Sequence, residues 1–246
     1  MRDELFREPL SSSAGFEFNS DVANVFDDMI NRSIPFYGEV QSMIVDFASQ
    51  FYTRDSTIYD LGCSTGLMMA RLATSLKGVR KIIGIDNSEP MMAKTRECLS
   101  AIETDTQIEL LCKDLRDVEI SDASVVVMNY TLQFIRPLYR PGVVKQIFDG
   151  LKPGGVFILS EKVLENSPVL TQLFIDMYYL FKRRQGYSEM EISRKRERLE
   201  NVLVPYQVGE LKQLLRDAGF QHAEVFFKWH NFSSILAVKN PSPEGR

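Results

Sequence analysis

Two acidic residues stand at the ends of two short apolar segments, and a turn of small residues lies between them. The first segment, Thr57–Leu61, contains Asp60 and leads into the turn at 62–66. The second segment ends in Asp86, about twenty residues beyond the turn, the spacing at which a βαβ unit presents a carboxylate to ribose hydroxyls. Glycines in such a turn let the backbone approach a ligand closely, and the following helix offers free N–H groups. The spacing predicts a nucleoside site and leaves the nucleoside open.

The elements that must position these residues alternate in type along the chain. Near-continuous apolar runs, such as 125–128, are typical of parallel strands covered on both faces. We predict an α/β fold with a doubly wound, seven-stranded, mostly parallel sheet, N-terminal helices and an inserted helical pair. The predicted strands are 57–61, 81–86, 107–112, 124–129, 156–160, 223–229 and 234–238. The predicted helices are 21 onward, 38–51, 67–76, 89–102, 142–151, 208–218 and a pair starting at Ser167 and Ser188.

The domain organisation that follows is simple. Residues 1–20 are expected to form a flexible N-terminal arm, and residues 241–246 a disordered tail. Between them we predict a single nucleoside-binding domain over 21–240, which includes the helical insertion 163–204. The apolar positions of the first inserted helix and the triplet 182–184 are interpreted as a core face and a basic helix C-terminus, respectively.

Composition excludes several classes of function. The 246 residues carry a net charge of -4, which gives no drive toward nucleic acid or anionic membrane. Three cysteines without a CxxC pair indicate reduced thiols and predict no zinc or other metal site. No apolar run approaches the roughly 20 residues needed to span a bilayer. We therefore expect a soluble cytoplasmic protein without membrane contact.

Later markers narrow the ligand. The turn at 62–66 lacks the GxGxxG spacing of a dinucleotide site, and a broader turn suits an amino-acid tail better. Asp114 follows the third predicted strand, where a carboxylate can accept from an adenine amino group, and Asn129 ends the fourth. A tight turn at 151–155 enters the fifth strand. In this order the set resembles the class I methyltransferases that use S-adenosyl-L-methionine (SAM).

A second group of motifs lies outside this core and is similar to the carboxy-S-adenosyl-L-methionine synthase family. The resemblance extends from about Asp3 to Lys239. Its motifs are 29–37, 129–134, 159–162, 181–189, 191–193 and 199–202.

The resemblance implies a methyltransferase fold that does not methylate. Members of this family convert SAM and prephenate to carboxy-SAM, releasing phenylpyruvate and water, for 5-oxyacetyl modification of the tRNA wobble uridine. A sulfonium acidifies its methyl protons, and carbon dioxide released beside the resulting ylide is captured before it diffuses away. The resemblance further implies a homodimer without direct nucleic-acid binding, and a downstream tRNA carboxymethyltransferase as a possible partner.

The resemblance also assigns site residues by position. Tyr37, Gly62, Cys63 and Ser64 are expected at the methionine end of SAM, Asp86 and Asn87 at the ribose, Asp114 and Leu115 at adenine, and Asn129 near the sulfonium. Arg196 is expected to bind the added carboxylate, across a dimer interface, because a planar guanidinium can donate two parallel hydrogen bonds.

From the residues alone, other interpretations stay open. Asp86 and Asp114 are also suited to capping a helix or loop, Cys63 to packing at the turn, and the basic run 194–198 to a solvated helix face. Phe174, Tyr178 and Phe181 are typical of core packing. At the level of function, the alternatives are a conventional SAM-dependent methyltransferase acting on a small acid and a non-catalytic SAM-binding protein that associates with tRNA.

Overall fold

Eight strands form one sheet in the part of the chain that the structure, a computed structural model, describes: residues 2–7 and 16–241. The strands are β1 (Thr57–Leu61), β2 (Lys81–Asp86), β3 (Gln107–Cys112), β4 (Ala123–Asn129), β5 (Leu151–Leu164), β6 (Tyr206–Gln207), β7 (His222–Trp229) and β8 (Phe232–Val238).

The order of strands in the sheet creates a crevice. The order is β3-β2-β1-β4-β5-β8-β7, in which the first five strands are parallel and β8 is antiparallel to both of its neighbours. Because β1 pairs with both β2 and β4, the chain winds outward from β1 in two directions, and ligands bind at the carboxyl ends of strands at such a point. The predicted α/β sheet is confirmed, and the two-residue β6, paired with the end of β5, is an addition to it.

Helices cover both faces of the sheet. Alternate side chains of each central strand point to opposite faces, so Tyr59 and Leu61 enter the core under α5 and α8, while Ile58 enters the core under α2 and α3. The helices in the described residues are α1 (Ser20–Ser33), α2 (Tyr37–Phe51), α3 (Leu67–Ser75), α4 (Glu89–Ser100), α5 (Arg140–Gly150), α6 (Pro168–Arg184), α7 (Glu189–Leu199) and α8 (Val208–Ala218).

The inserted pair α6 and α7 begins where the capping residues predict. The Ser167 side chain accepts from the Leu170 N–H, and Ser188 forms a capping box with Glu191. The predicted core face of α6 is wrong in part. Leu173 is 46% exposed in the chain, and Val169, Leu170 and Met177 are exposed as well.

The first residues of the chain pack against the domain. Asp3 and Phe6 are buried, and the Asp3 carboxylate accepts a hydrogen bond from the Tyr187 hydroxyl at 2.6 Å. The expected flexible arm is therefore not seen for residues 2–7, because a buried carboxylate with a partner holds them in place. Residues 8–15 and 242–246 lie outside the described residues. Within the ranges that the structure covers, no helix has both the length and the apolar character to cross a bilayer.

Candidate functional site

A cavity of about 930 Å³ opens at the carboxyl ends of the parallel strands. Residues from the ends of β1, β2, β4 and β5 line its floor, and residues of α1, α6 and α7 line its walls. It is the place that the strand order predicts for a ligand. Every residue predicted for the site lines it: Tyr37, Gly62, Cys63, Ser64, Asp86, Asn87, Asp114, Leu115, Asn129 and Arg196.

The turn after β1 forms a close-fitting cradle at Gly62. Its N–H donates to the Ile85 carbonyl at 2.7 Å, and its φ of 79° lies in the left-handed region that favours glycine. A Cβ atom added at Gly62 would lie 2.3 Å from Thr131 Oγ1. Only glycine therefore lets the turn lie this close to the loop that follows β4, so that both segments can line the cavity here.

Asp86 is held by backbone donors at the end of β2. Its carboxylate accepts from the Ser64 N–H at 3.0 Å and from the Ser88 N–H at 2.9 Å. Burial raises the pKa of Asp86, although these hydrogen bonds and the Asn87 backbone favour the charged form. The carboxylate thus ties the first turn to the second strand and also faces the cavity, as expected of a ribose-binding acid.

Four buried side-chain oxygens in the cavity lack a hydrogen-bond or ion-pair partner among the described residues. They are Asp60 Oδ2, Asn129 Oδ1, the Tyr130 hydroxyl and Asn231 Oδ1. Buried polar groups are normally satisfied, so unpaired acceptors that line a cavity indicate ligand donors. Burial, and then the charge of Asp86, raise the pKa of Asp60 to about 7. The first pattern in the sequence included Asp60, but the residue roles assigned from the resemblance included neither Asp60 nor Tyr130.

Asp114 pairs with a neighbour from its own loop. Arg116 donates to the Asp114 carboxylate at 2.8 and 2.7 Å, and this pairing lowers the pKa of Asp114. Asp114 also accepts from the Arg116 N–H, so its side chain caps the short turn that contains Leu115. The capping interpretation and the adenine interpretation are compatible here, because both residues also line the cavity.

Tyr37 and Cys63 complete the wall near the first turn. Burial raises the pKa of both side chains well above the usual range, so both stay protonated. The Cys63 Sγ atom lies 3.8 Å from Met92 Sδ, deep in the apolar layer beneath the turn. This environment suits packing and is unsuited to a nucleophile.

The opposite end of the cavity is basic, a property that the sequence interpretation missed in part. Lys162, at the end of β5, and Lys182, Lys195 and Arg196, from α6 and α7, all line it. The interpretation of 182–184 as a basic helix C-terminus is confirmed, because all three residues lie in the last turn of α6. Lys182 is nevertheless only 4% exposed and lines the cavity, which that interpretation did not predict. Arg196 itself is exposed in the chain.

Aromatic rings share this end with the cations. Phe174 and Tyr178 line the cavity, which corrects their interpretation as core residues. Phe181 instead packs on Trp229, with 5.5 Å between the ring centroids. Cations over aromatic faces are stabilised where water is excluded.

The charges of the cavity are unevenly distributed. Asp60, Asp86 and Asp114 lie at or just after the ends of β1 to β3, where Lys113 and Arg116 also line the cavity. Four cations, Lys162, Lys182, Lys195 and Arg196, lie toward the inserted helices together with Glu165 and Glu200. The unpaired acceptors and the glycine cradle fit a ligand with amine and hydroxyl donors, such as SAM. The basic end fits carboxylates.

Known proteins share the fold of this chain. A methyltransferase-domain family profile matches residues 58–155. The apo structure of the SAM-dependent methyltransferase SibL superposes with a TM-score of 0.64 at 13% identity, covering 96% of this chain and 65% of SibL. Human N-acetylserotonin methyltransferase in complex with SAM superposes with a TM-score of 0.61 at 16% identity, covering 90% of this chain and 55% of that protein. These likenesses confirm the fold.

Sequence relatives are much closer. The carboxy-S-adenosyl-L-methionine synthase of Methylococcus capsulatus is 46% identical, with 97% of this chain and 99% of the relative aligned. Those of Nautilia profundicola and Wolinella succinogenes are 42% and 44% identical over 97% of this chain and nearly all of each relative. The resemblance drawn from the motifs is confirmed, and the chain belongs to the carboxy-S-adenosyl-L-methionine synthase family, a family of transferases.

Proposed function

We propose that this protein converts SAM and prephenate to carboxy-SAM, releasing phenylpyruvate and water. The observation that supports this proposal most directly is the two-ended cavity, with acids and unpaired acceptors at one end and clustered cations at the other. The basic end offers ammonium and guanidinium donors, which suit the two carboxylates of prephenate and the new carboxylate of carboxy-SAM.

The reaction balances without a further reagent. Prephenate loses a carboxylate as carbon dioxide and its ring hydroxyl as hydroxide, and the remaining ring becomes aromatic. The methyl carbon beside the sulfonium loses a proton, which combines with the hydroxide to make water. That carbon then forms a bond to carbon dioxide, so the new carboxylate carries the negative charge. A site that excludes bulk water and holds the reactants together favours capture over escape of carbon dioxide.

The residues of this chain divide the work in the proposed reaction. Asp86 holds the ribose, with Asn87 beside it, and Asp114 and Leu115 contact adenine. The turn at 62–64 and Tyr37 line the methionine end, with Asn129 near the sulfonium. Arg196 binds the new carboxylate through a planar guanidinium. These roles agree with the positions of the side chains around the cavity.

We further propose that two copies of the chain act together in the cytoplasm and supply carboxy-SAM for 5-oxyacetyl modification of the tRNA wobble uridine. The apolar side chains exposed along α6 support pairing, since they lie next to the cavity wall and a second copy would cover them. A tRNA carboxymethyltransferase would consume the product. The net charge of -4 favours transfer of the small molecule over direct binding of tRNA by this chain.

Mass spectrometry of the reaction products tests the proposed activity. The purified protein is incubated with SAM and prephenate, and a matched reaction omits prephenate. We expect a product heavier than SAM by one carbon dioxide, together with stoichiometric phenylpyruvate, only in the complete reaction. Methyl transfer to an acceptor without consumption of prephenate would overturn the proposal in favour of a conventional methyltransferase. Retention of SAM without any turnover would favour a non-catalytic binding protein.

A further inference from the structure

Two lysines at the basic end of the cavity have no carboxylate at ion-pair distance in the part of the chain that the structure describes. Among the residues that the structure describes, no carboxylate lies within 4.0 Å of the amine of either Lys162 or Lys182. Lys195 differs, because its amine lies 4.0 Å from Asp3 Oδ2 and donates to Ser33 Oγ at 3.2 Å. Lys162 and Lys182 are therefore two lysines of this wall that have no carboxylate at ion-pair distance among the described residues.

One aromatic ring brings the two lysines together. The Lys162 amine lies 5.0 Å from the centroid of Tyr178, and the Lys182 amine lies 5.6 Å from the same centroid. The Tyr187 ring lies 5.2 Å from the Lys182 amine. Cation–π contacts stabilise ammonium groups only in part, and they supply no negative charge. Both amines therefore lie beside the same ring, one from β5 and one from α6.

Burying two ammonium groups without a counter-charge is energetically unfavourable, which indicates that a bound anion stabilises them. Burial lowers the pKa of Lys162 to about 8. Burial, together with repulsion from Lys195 and Lys162, lowers the pKa of Lys182 as well, while Asp3 and Glu191 offset only part of this. Buried charges are ordinarily paired with an opposite charge. Because the folded chain places no carboxylate at ion-pair distance from these two lysines, a bound anion would supply the missing partner.

The chemistry of the substrate offers that partner. Prephenate has two carboxylates, of which one is transferred and the other stays on the pyruvyl side chain of phenylpyruvate. The proposed function gives Arg196 the carboxylate that ends on carboxy-SAM. A second cationic position is then required for the carboxylate that is not transferred, since a dianion in a partly closed cavity needs more than one counter-charge.

We propose that Lys162 and Lys182, beside the Tyr178 ring, form a subsite for the pyruvyl carboxylate of a 2-oxo dicarboxylic acid. The subsite rests on the proposed function, because the identity of the dianion comes from it. The two cations hold a carboxylate that is present in both substrate and product. Specificity for prephenate over neutral or monoanionic ring acids follows, because such compounds leave at least one cation without a partner.

Paired measurements on substrate and product test this subsite. In Lys182→Met, we expect the KM for prephenate and the inhibition constant of phenylpyruvate to rise together, each by at least ~10-fold, because both lose the same charged hydrogen bond. The dissociation constant of SAM should stay unchanged. Lys182→Arg, which keeps the charge, should recover much of the loss. Lys94→Met removes a lysine of α4 that pairs with Glu97 at 3.1 Å on the surface, and it serves as the matched control.

The outcomes separate the subsite from the function. If the wild-type protein makes carboxy-SAM but Lys182→Met and Lys162→Met both keep their prephenate and phenylpyruvate constants, the subsite is wrong and the function stands. If the wild-type protein makes no carboxy-SAM yet binds phenylpyruvate in calorimetry, and the variants lose this binding, the subsite stands and the function is wrong. Lys162→Met keeps the test decisive where circular dichroism shows that Lys182→Met fails to fold, because Lys162 is only partly buried.

Discussion

The close approach of Gly62 to the Thr131 side chain predicts a large and local effect of a single methyl group. Gly62→Ala places a Cβ 2.3 Å from Thr131 Oγ1 and 2.5 Å from Thr131 Cγ2. Both distances are far inside van der Waals contact, and the neighbouring atoms belong to a short β-branched side chain with little freedom to move. The substitution should therefore destabilise the fold through two separate causes, backbone strain and overlap.

A second glycine isolates the first cause. Gly154 has the same φ of 79°, and nothing lies within 4 Å of a Cβ added there. A left-handed conformation costs an L-residue about 1–2 kcal/mol, so Gly154→Ala should lose about that amount. Gly62→Ala should lose the same strain plus about 1–3 kcal/mol for overpacking. The difference between the two variants measures the overlap alone.

Urea denaturation is a suitable assay for this comparison. Trp229 is the one tryptophan of the chain, so its fluorescence and far-ultraviolet circular dichroism give two independent unfolding curves. Thr131→Ala removes the two nearest atoms and should return part of the loss in the double variant, as a double-mutant cycle detects. Equal losses for Gly62→Ala and Gly154→Ala, with no recovery by Thr131→Ala, would refute the reasoning.

Three further predictions concern the charged groups of the site. Asp86→Ala should weaken SAM and carboxy-SAM alike, by roughly 10-fold or more in calorimetry, because both share the ribose; loss of only one ligand would show that the acid is misplaced. Arg196→Ala should weaken carboxy-SAM by at least ~10-fold and spare SAM, and unchanged affinity for carboxy-SAM would remove its role. Glu161 is the buried neighbour of Lys162 on β5, and burial raises its pKa from the ordinary 4.5 to about 8. The folded state thus keeps a proton that the unfolded state releases, and stability should fall as the pH rises between these values, by up to about 1.4 kcal/mol per unit. Glu161→Gln should flatten this slope in urea denaturation at several pH values, and an unchanged slope would contradict the assignment.

The sequence predicted the central strands well because the residues that begin and end each of these strands lie within the strand or directly beside it. β1, β2 and β3 begin and end at the predicted residues, where apolar runs meet charged or turn residues. β5 was predicted as 156–160 but extends over Leu151–Leu164. Its first part is extended by bonds to Lys239, which donates to the Gly155 carbonyl at 2.9 Å, and its last part pairs with Tyr206. Partners this remote in sequence leave no local signal.

The two ends of the cavity differed in how well the sequence predicted them. The acids and glycines of the nucleoside end lie at or directly after strands, so their order along the chain was sufficient to predict that they line the site. Lys182 stands in a run of basic residues that is indistinguishable in type from a solvated helix end. Its burial depends on which face of α6 packs toward the cavity, and this is set by tertiary structure. The only local signal was the spacing of four residues between Tyr178 and Lys182, which places both on one helix face.

The bond between Asp3 and Tyr187 joins residues that are 184 positions apart. Closing so long a loop costs entropy before its contacts form, and contacts of large sequence separation tend to form late. We therefore expect the wall around Tyr187 to gain protection from hydrogen exchange after the strands do, and to lose it first when the protein opens locally. The acidic end of the cavity would then be complete while the basic end is still being assembled.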